Sequence, residues 1–199
     1  MEKPEDVAKL IDSKKILILG SSGSGKTTLA IQLSRILNLD VVHLDARFWG
    51  PGWQSTPQEE WQATVAQLAA RPSWIMDGTY ERSLHLRIPA ADALIVLERS
   101  RMACLWRVIK RKLTINDEHR PDAPPGQPLD WPFIRYVWHY PRVTRPIVYE
   151  FIRQYGPEKS LIVLKGPTEP AQLVQGLDLS LIHILIVDVE QRSMLKCQM

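Results

Sequence analysis

The chain has 199 residues, with 25 Lys and Arg against 22 Asp and Glu, for a formal net charge of +3. That length is most simply one domain, the 45% hydrophobic content suits a packed core, and so mild a charge gives a nucleic-acid partner no support of its own. Cys104 and Cys197 lie far apart without metal-ligand spacing and read as free thiols, the opening MEKPEDVAKL is too charged for a secretory signal, and the longest apolar run is too short for a bilayer, so a cytoplasmic setting without membrane contact is expected.

The first element is KILIL, Lys15 to Leu19, a short apolar run that reads as a strand. It leads into GSSGSGKT, Gly20 to Thr27, which matches the phosphate-binding loop G-x-x-x-x-G-K-[ST]. TLAIQLSRIL, Thr28 to Leu37, follows with helical patterning, so the motif has the strand–loop–helix context it requires. Gly20, Gly23 and Gly25 allow a tight turn and close backbone approach to phosphate oxygens. The N–H groups of Gly20, Ser21, Ser22, Gly23, Ser24 and Gly25 and the helix start at Lys26, Thr27 and Thr28 are expected to face the anion. Lys26 is placed for the β- and γ-phosphates of ATP, and the Thr27 hydroxyl for Mg²⁺.

Val41 to Leu44 reads as a second strand ending at Asp45, and Gly50–Pro51–Gly52 as a loop. Thr56, Pro57 and Glu59 have the pattern of a capping box opening a helix to about Ala70. Trp74 to Met76 is a third strand ending at Asp77–Gly78, and Ala93 to Leu97 a fourth. Ser100 is placed to cap a helix reaching Leu113, with Met102, Leu105, Trp106, Ile109 and Leu113 on one face. Thr114 to Asp130 is rich in proline and charge and reads as a functional or poorly ordered loop. Asp130 and Pro132 open a further helical stretch that Pro141 and Pro146 break or kink. Leu161 to Leu164 is a fifth strand, and Thr168 starts a last helix through Gln175. Strands alternating with helices imply a parallel sheet covered on both faces.

HLDARFWGPGWQSTPQEEW, WIMDGTYERSLHLR and LWRVIKR resemble the small P-loop proteins called DNA topology modulation proteins, which are similar to the adenylate-kinase-like kinases. The resemblance covers about Lys14 to Gln175. It implies an α/β, three-layer P-loop NTPase fold: a five-stranded parallel sheet with helices on both faces, a helical insert on the substrate side (about 46–72) and a lid (about 112–130). Residues 1–178 are then one kinase-like domain. LSLIHI, from Leu179, resembles the translation of a transposase recognition sequence used in preparing sequencing libraries. Residues 179–199 are therefore expected to be an addition foreign to the domain; the competing reading is an edge strand from Leu181 to Val187.

Asp45 stands at a strand's carboxyl end, where α/β sheets bind ligands, and a carboxylate there orients an acceptor hydroxyl or takes its proton. An ordinary turn aspartate is the alternative. By the same resemblance Asp77 belongs with the metal's water shell, Gly78 with close substrate approach, and Arg82, rather than Arg87, with gripping the acceptor. Arg107 and Arg111, one turn apart and opposite the apolar stripe, match lid arginines that neutralise charge on the transferred phosphoryl group. Trp49 and Trp53 flank the Gly50–Gly52 turn and suit either an aromatic wall for a planar acceptor or packing under the insert. Of the seven tryptophans, Trp61, Trp74 and Trp106 are expected in the core, and Trp131 and Trp138 on one buried helix face; His43 reads as a satisfied core histidine.

The expected activity is transfer of the γ-phosphate of Mg-ATP to a small-molecule or nucleotide acceptor. The alternatives are a nucleotide-dependent DNA-binding or topology regulator, resting on the basic stretch Arg99 to Lys112, and an ATPase without an acceptor. No Asn-Lys-x-Asp guanine motif is present in the sequence.

Overall fold

A computed structural model describes the backbone of residues 4–114 and 122–196 and the side chains of residues 7–114 and 122–182. Its strands are β1 (Lys15–Gly20), β2 (Val41–His43), β3 (Trp74–Asp77), β4 (Ala93–Leu97) and β5 (Ser160–Leu164). They form one parallel sheet of order β2-β3-β1-β4-β5. The register sets Ile18 beside Asp77 and Leu97 beside Gly20, so the β1 and β3 ends that carry the candidate residues adjoin one another.

Each strand is apolar on both faces, as a parallel sheet covered by helices requires. Leu17, Leu19, Leu94 and Val96 point to one side. There they pack with Trp61, Val65 and Leu68 of α4 (Gln58–Ala70), Leu84 and Ile88 of α5 (Leu84–Ala90), and Val148 and Ile152 of α8 (Thr144–Tyr155). Ile16, Ile18, Ile95 and Leu97 point to the other. Their partners are Leu10 of α1 (Pro4–Asp12), Leu29 and Leu33 of α2 (Lys26–Leu37), and Leu173 and Leu177 of α9 (Glu169–Lys196). Two-residue alternation of this kind builds both cores from the same strands.

The remaining helices are the single turn α3 (Asp45–Phe48), α6 (Arg101–Thr114) and α7 (Trp131–His139). The predicted caps of two helices form: the Ala103 N–H donates to Ser100 Oγ at 3.2 Å at the start of α6, and the Phe133 N–H to Asp130 Oδ1 at 2.9 Å at the start of α7. The capping box before α4 does not. The Thr56 hydroxyl instead donates to the Phe48 carbonyl at 2.7 Å, closing the loop after α3, and α4 starts without a side-chain cap. Pro141 lies in the turn between α7 and α8, and Pro146 in the first turn of α8, where a missing N–H is harmless.

The apolar stripe on α6 is exposed rather than buried: Trp106 is 64% accessible, and Met102 and Leu113 are also exposed. Cys104 and Val108 are the residues α6 buries, because the helix is rotated to bring the arginine side to the phosphate-binding loop. Trp131 is likewise 73% accessible, and Trp138 stands at the surface under the Arg101 guanidinium, 4.0 Å from its ring centre. Trp61 and Trp74 are buried as expected.

Residues 181–187 continue α9 rather than forming an edge strand. Leu173 and Leu177 are fully buried under the sheet, whereas Leu179 and Ile182 are more than half exposed at 60% and 53%. No helix of the described residues is long and apolar enough to cross a membrane.

The fold's most constrained turn is Gly78–Thr79–Tyr80, after β3. Arg87 of α5 is wholly buried beneath it, donating from Nη1 to the Gly78 carbonyl at 2.8 Å and from Nη2 to the Thr79 carbonyl and to the Tyr80 carbonyl at 3.0 Å. Burial pulls the guanidinium down, to about 9, so it remains charged at neutral pH. Replacing Arg87 with Met takes the side-chain donor from the Gly78 and Thr79 carbonyls, while that of Tyr80 keeps the Ser83 N–H and hydroxyl; we expect a loss of about 3 kcal/mol, measured by urea unfolding. A chain ending at Asp178 is expected to melt within about 2 °C of the full chain in calorimetry.

Candidate active site

The site lies at the carboxyl ends of β1, β2 and β3, where an open parallel sheet leaves a crevice. The loop from Gly20 to Gly25 turns back from β1 into α2. Gly23 has φ +77°, and a Cβ there would stand 2.5 Å from the Cys104 carbonyl oxygen, so only glycine lets the loop rest on α6. Helix α2 carries no side-chain cap and no acidic residue in its first turn, which leaves its N-terminal dipole open to an anion.

Over that helix end is a cavity of about 280 Å³. It is lined by Ser22, Gly23, Gly25, Lys26, Thr27 and Thr28, by Asp45, Asp77, Gly78 and Asp122, and by Arg107, Arg111 and Gln127. Arg107 reaches the carbonyls of Gly23 and Ser24, at 3.4 Å each, and Arg111 Nη2 donates to Gln127 Oε1 at 2.7 Å. Lys26 Nζ donates to the Ser21 carbonyl at 3.0 Å. Ser21 and Ser24 are buried beneath the loop and do not line this space.

The Thr27 hydroxyl lies 2.9 Å from Asp77 Oδ2 and 3.2 Å from Asp122 Oδ2. Asp77 Oδ1 is bound in turn to His43 Nδ1 at 2.8 Å. His43 is therefore satisfied, as read from the sequence, but by a residue of the site rather than of the core. Burial alone would lower its imidazole; the hydrogen bond and charge of Asp77, with Asp122 and Asp45 behind, hold it above its ordinary value.

A second cavity, of about 450 Å³, adjoins the first and shares Ser22, Lys26, Asp45, Gly78 and Gln127 with it. Gly20 and Thr79 also line it. Trp49, Trp53, Tyr80, Phe133 and Tyr136 supply its aromatic walls, and Glu81, Pro128, Asp130 and Pro132 complete them. Asp45, in the first turn of α3, accepts from the Tyr80 hydroxyl at 2.5 Å. Phe48 and Trp61 back this pair, with ring centres 4.8 and 5.1 Å from Tyr80. Burial raises the Asp45 carboxyl above the ordinary carboxylate value, against the opposing pull of Lys26 and the Tyr80 hydroxyl. Trp49 and Trp53 stand 5.4 Å apart, and Trp53 Nε1 donates to the Pro125 carbonyl at 2.9 Å, joining the two sides of the chamber.

Of the residues singled out in the sequence, Lys26, Thr27, Thr28, Asp45, Trp49, Asp77, Gly78, Arg107 and Arg111 meet at these two cavities. Arg82 does not: it is exposed on the turn Glu81–Ser83 and lines neither cavity. Arg87 is spent on the turn beneath. Asp122, Glu81, Tyr80, Phe133 and Tyr136 reach the site without having been singled out. Of these, Tyr80 and Glu81 lay between the marked residues Gly78 and Arg82, and Asp122 within the predicted lid. Residues 115–121 of the predicted loop lie outside the described residues; 122–130 border both cavities.

A phosphate-binding loop between β1 and α2, in a parallel sheet of order β2-β3-β1-β4-β5 with helices on both faces, defines the P-loop kinase-like NTPase fold. Shikimate kinase from Acinetobacter baumannii in complex with shikimate is similar, with a TM-score of 0.56 and 11% identity over 92% of this chain and 98% of that one. A gluconokinase from Sinorhizobium meliloti 1021 also matches, at a TM-score of 0.48 and 15% identity over 89% of this chain and 96% of that one. So does deoxyadenosine kinase from M. mycoides with bound dCTP, at 0.44 and 15% over 83% and 99%. No family model and no curated protein matches the chain.

The Asp45 carboxyl has a raised folded-state pKa, so it favours folding in its protonated form and opposes it once ionised. Asp45→Asn, which keeps an acceptor for Tyr80, is expected to raise the melting temperature at pH 7. The gain should shrink as pH falls through the raised pKa and disappear below the ordinary carboxylate value of 3.8. Melting curves across that range check it.

Proposed function

We propose that the protein is a kinase that transfers the γ-phosphate of Mg-ATP to the hydroxyl of a small acceptor. The observation that carries this is the sharing of Lys26 and Asp45 between two adjoining cavities, one lined by the phosphate-binding loop and arginines, the other by aromatic rings. A triphosphate in the first would bring its terminal phosphorus to the boundary, and an acceptor in the second would meet it there.

In this reading the loop N–H groups, Lys26 and the start of α2 bind the phosphates. Asp45 orients the acceptor hydroxyl and takes its proton, for which a raised pKa is suited. Arg107 and Arg111 neutralise charge on the transferred group. Mg²⁺ would be held by Thr27 and Asp77, with Asp122 beside them, and would supply positive charge to offset that of the phosphates. Among the described residues no group of three or more His, Cys, Asp or Glu could hold a metal ion. An ion that keeps its waters and shares phosphate ligands needs no such cage. Residues 46–72 would act as the acceptor-side insert and 112–130 as the lid that keeps water out.

Kinship with the DNA topology modulation proteins is part of this proposal and rests on the HLD and DG segments. The DNA-regulator reading rests on the Arg99 to Lys112 stretch, of which Arg107 and Arg111 line the phosphate cavity while Lys110 and Lys112 are exposed on α6.

Lys26→Ala is expected to weaken Mg-ATP binding at least about tenfold in calorimetry, the loss of one charge-assisted contact. Asp45→Asn should lower acceptor-dependent ADP release by about 10²–10⁴-fold while leaving ATP affinity near the parent value. ADP release that no hydroxyl compound stimulates would overturn the kinase assignment.

A further inference from the structure

We propose that the acceptor is an uncharged or positively charged ring-bearing alcohol, and that phosphorylated and carboxylated acceptors are excluded. This rests on the kinase reading and assigns the substrate class of the larger cavity. The charges on its walls carry it. Asp45, Glu81 and Asp130 line the chamber, and Lys26 is the one cationic side chain that does so among the described residues. Lys26 stands at the boundary, where the phosphates of the nucleotide claim it.

An enclosed anion needs a paired cation or a dense set of donors, or it forfeits its hydration without return. The arginines near the chamber in sequence supply neither: Arg47 and Arg135 are exposed and do not line it. Arg87 has its Nη donors turned away onto the Gly78, Thr79 and Tyr80 carbonyls, and Arg82 is exposed outside the cavity. Among the described residues, a second anionic group would therefore face three carboxylates and no guanidinium lining the chamber.

The same walls suit a ring. The Trp49–Trp53 pair is fixed in place by the bond from Trp53 Nε1 to the Pro125 carbonyl, and Tyr80, Phe133 and Tyr136 oppose a polar floor at Asp45. Aromatic faces take up flat bases and the C–H faces of sugars alike, and carboxylates beside them attract cations. A volume of about 450 Å³ falls within the range of small-molecule sites. Phosphoryl transfer then balances simply: the acceptor O–H loses its proton to Asp45, its oxygen bonds to the γ-phosphorus, and the bond to the β-phosphate oxygen breaks to release ADP.

The test uses matched pairs with the full chain: nucleosides against their 5′-monophosphates, sugars against the corresponding sugar acids, and amino sugars. Acceptor-stimulated ADP release is measured with Mg-ATP, and binding by calorimetry with a non-hydrolysable ATP analogue present. We expect the uncharged or cationic member of at least one pair to exceed its anionic partner at least tenfold in kcat/KM and in affinity. The pairs separate nucleosides from sugars. Glu81→Gln should diminish any advantage of amino sugars over neutral sugars, and Glu81→Lys should raise relative affinity for the anionic members.

A monophosphate or sugar acid preferred over its neutral partner overturns this inference and leaves the kinase reading standing. Binding that discriminates by charge without any turnover supports the assigned ligand class of the larger cavity and overturns the kinase reading, and with it the role of that ligand as acceptor. Failure of every compound to bind while the ATP analogue binds overturns the inference.

Discussion

The candidate site depends on one buried guanidinium. β3 ends between the phosphate-binding loop and the larger cavity, and the next three residues present carbonyls inward, of which Ser83 takes up only that of Tyr80. Arg87 takes up all three. That arrangement fixes Gly78 against Leu44, sets the Thr79 hydroxyl 3.2 Å from the Gly20 N–H, and holds Tyr80 in the left-handed region at φ +35°. A tyrosine does not adopt that conformation readily, and the cost is met by surrounding bonds. In return its hydroxyl reaches Asp45.

Electrostatics divides the crevice in two. The smaller cavity sets the loop N–H groups, Lys26 and two arginines against Asp45, Asp77 and Asp122, and so offers a polyanion more cationic partners than the larger. The larger is walled by rings and carboxylates and suits the opposite. Lys26 and Asp45 stand at the seam, a cation on the phosphate side and a partly desolvated acid on the acceptor side. In the proposed kinase reaction, this pairing of environments would favour attack of a hydroxyl on an electrophilic phosphorus. An acid kept away from its preferred solvent loses folding free energy, which is the ordinary trade between stability and a reactive group.

Much of this was legible in the sequence because the signals are local. The loop motif, the five apolar strands, Asp45 two residues after β2 and Asp77 ending β3 need only short windows to be seen, and the sheet's geometry then brings them together. What was not legible depended on distance along the chain or on orientation. Asp122, Phe133 and Tyr136 meet Thr27, Asp45 and Tyr80 across long separations that no spacing rule reaches. Arg82 looked like the ligand-gripping side chain, yet it is exposed and lines neither cavity, because type and approximate position do not say which way a guanidinium turns. On α6 periodicity identified a real stripe but assigned it the wrong side. Hydrophobic patterning assumes that the apolar face is the buried one, and here the arginine face is drawn inward by the loop it serves.

The seating of the loop on α6 sets different limits on its two partners. What stands against position 23 is the main-chain oxygen of residue 104, which every amino acid carries. The Cys104 side chain can be exchanged without widening that gap, so no second-site change in α6 can rescue a bulkier residue at 23. Sequence drift across this contact is therefore one-sided: free at 104 within the limits of packing, closed at 23.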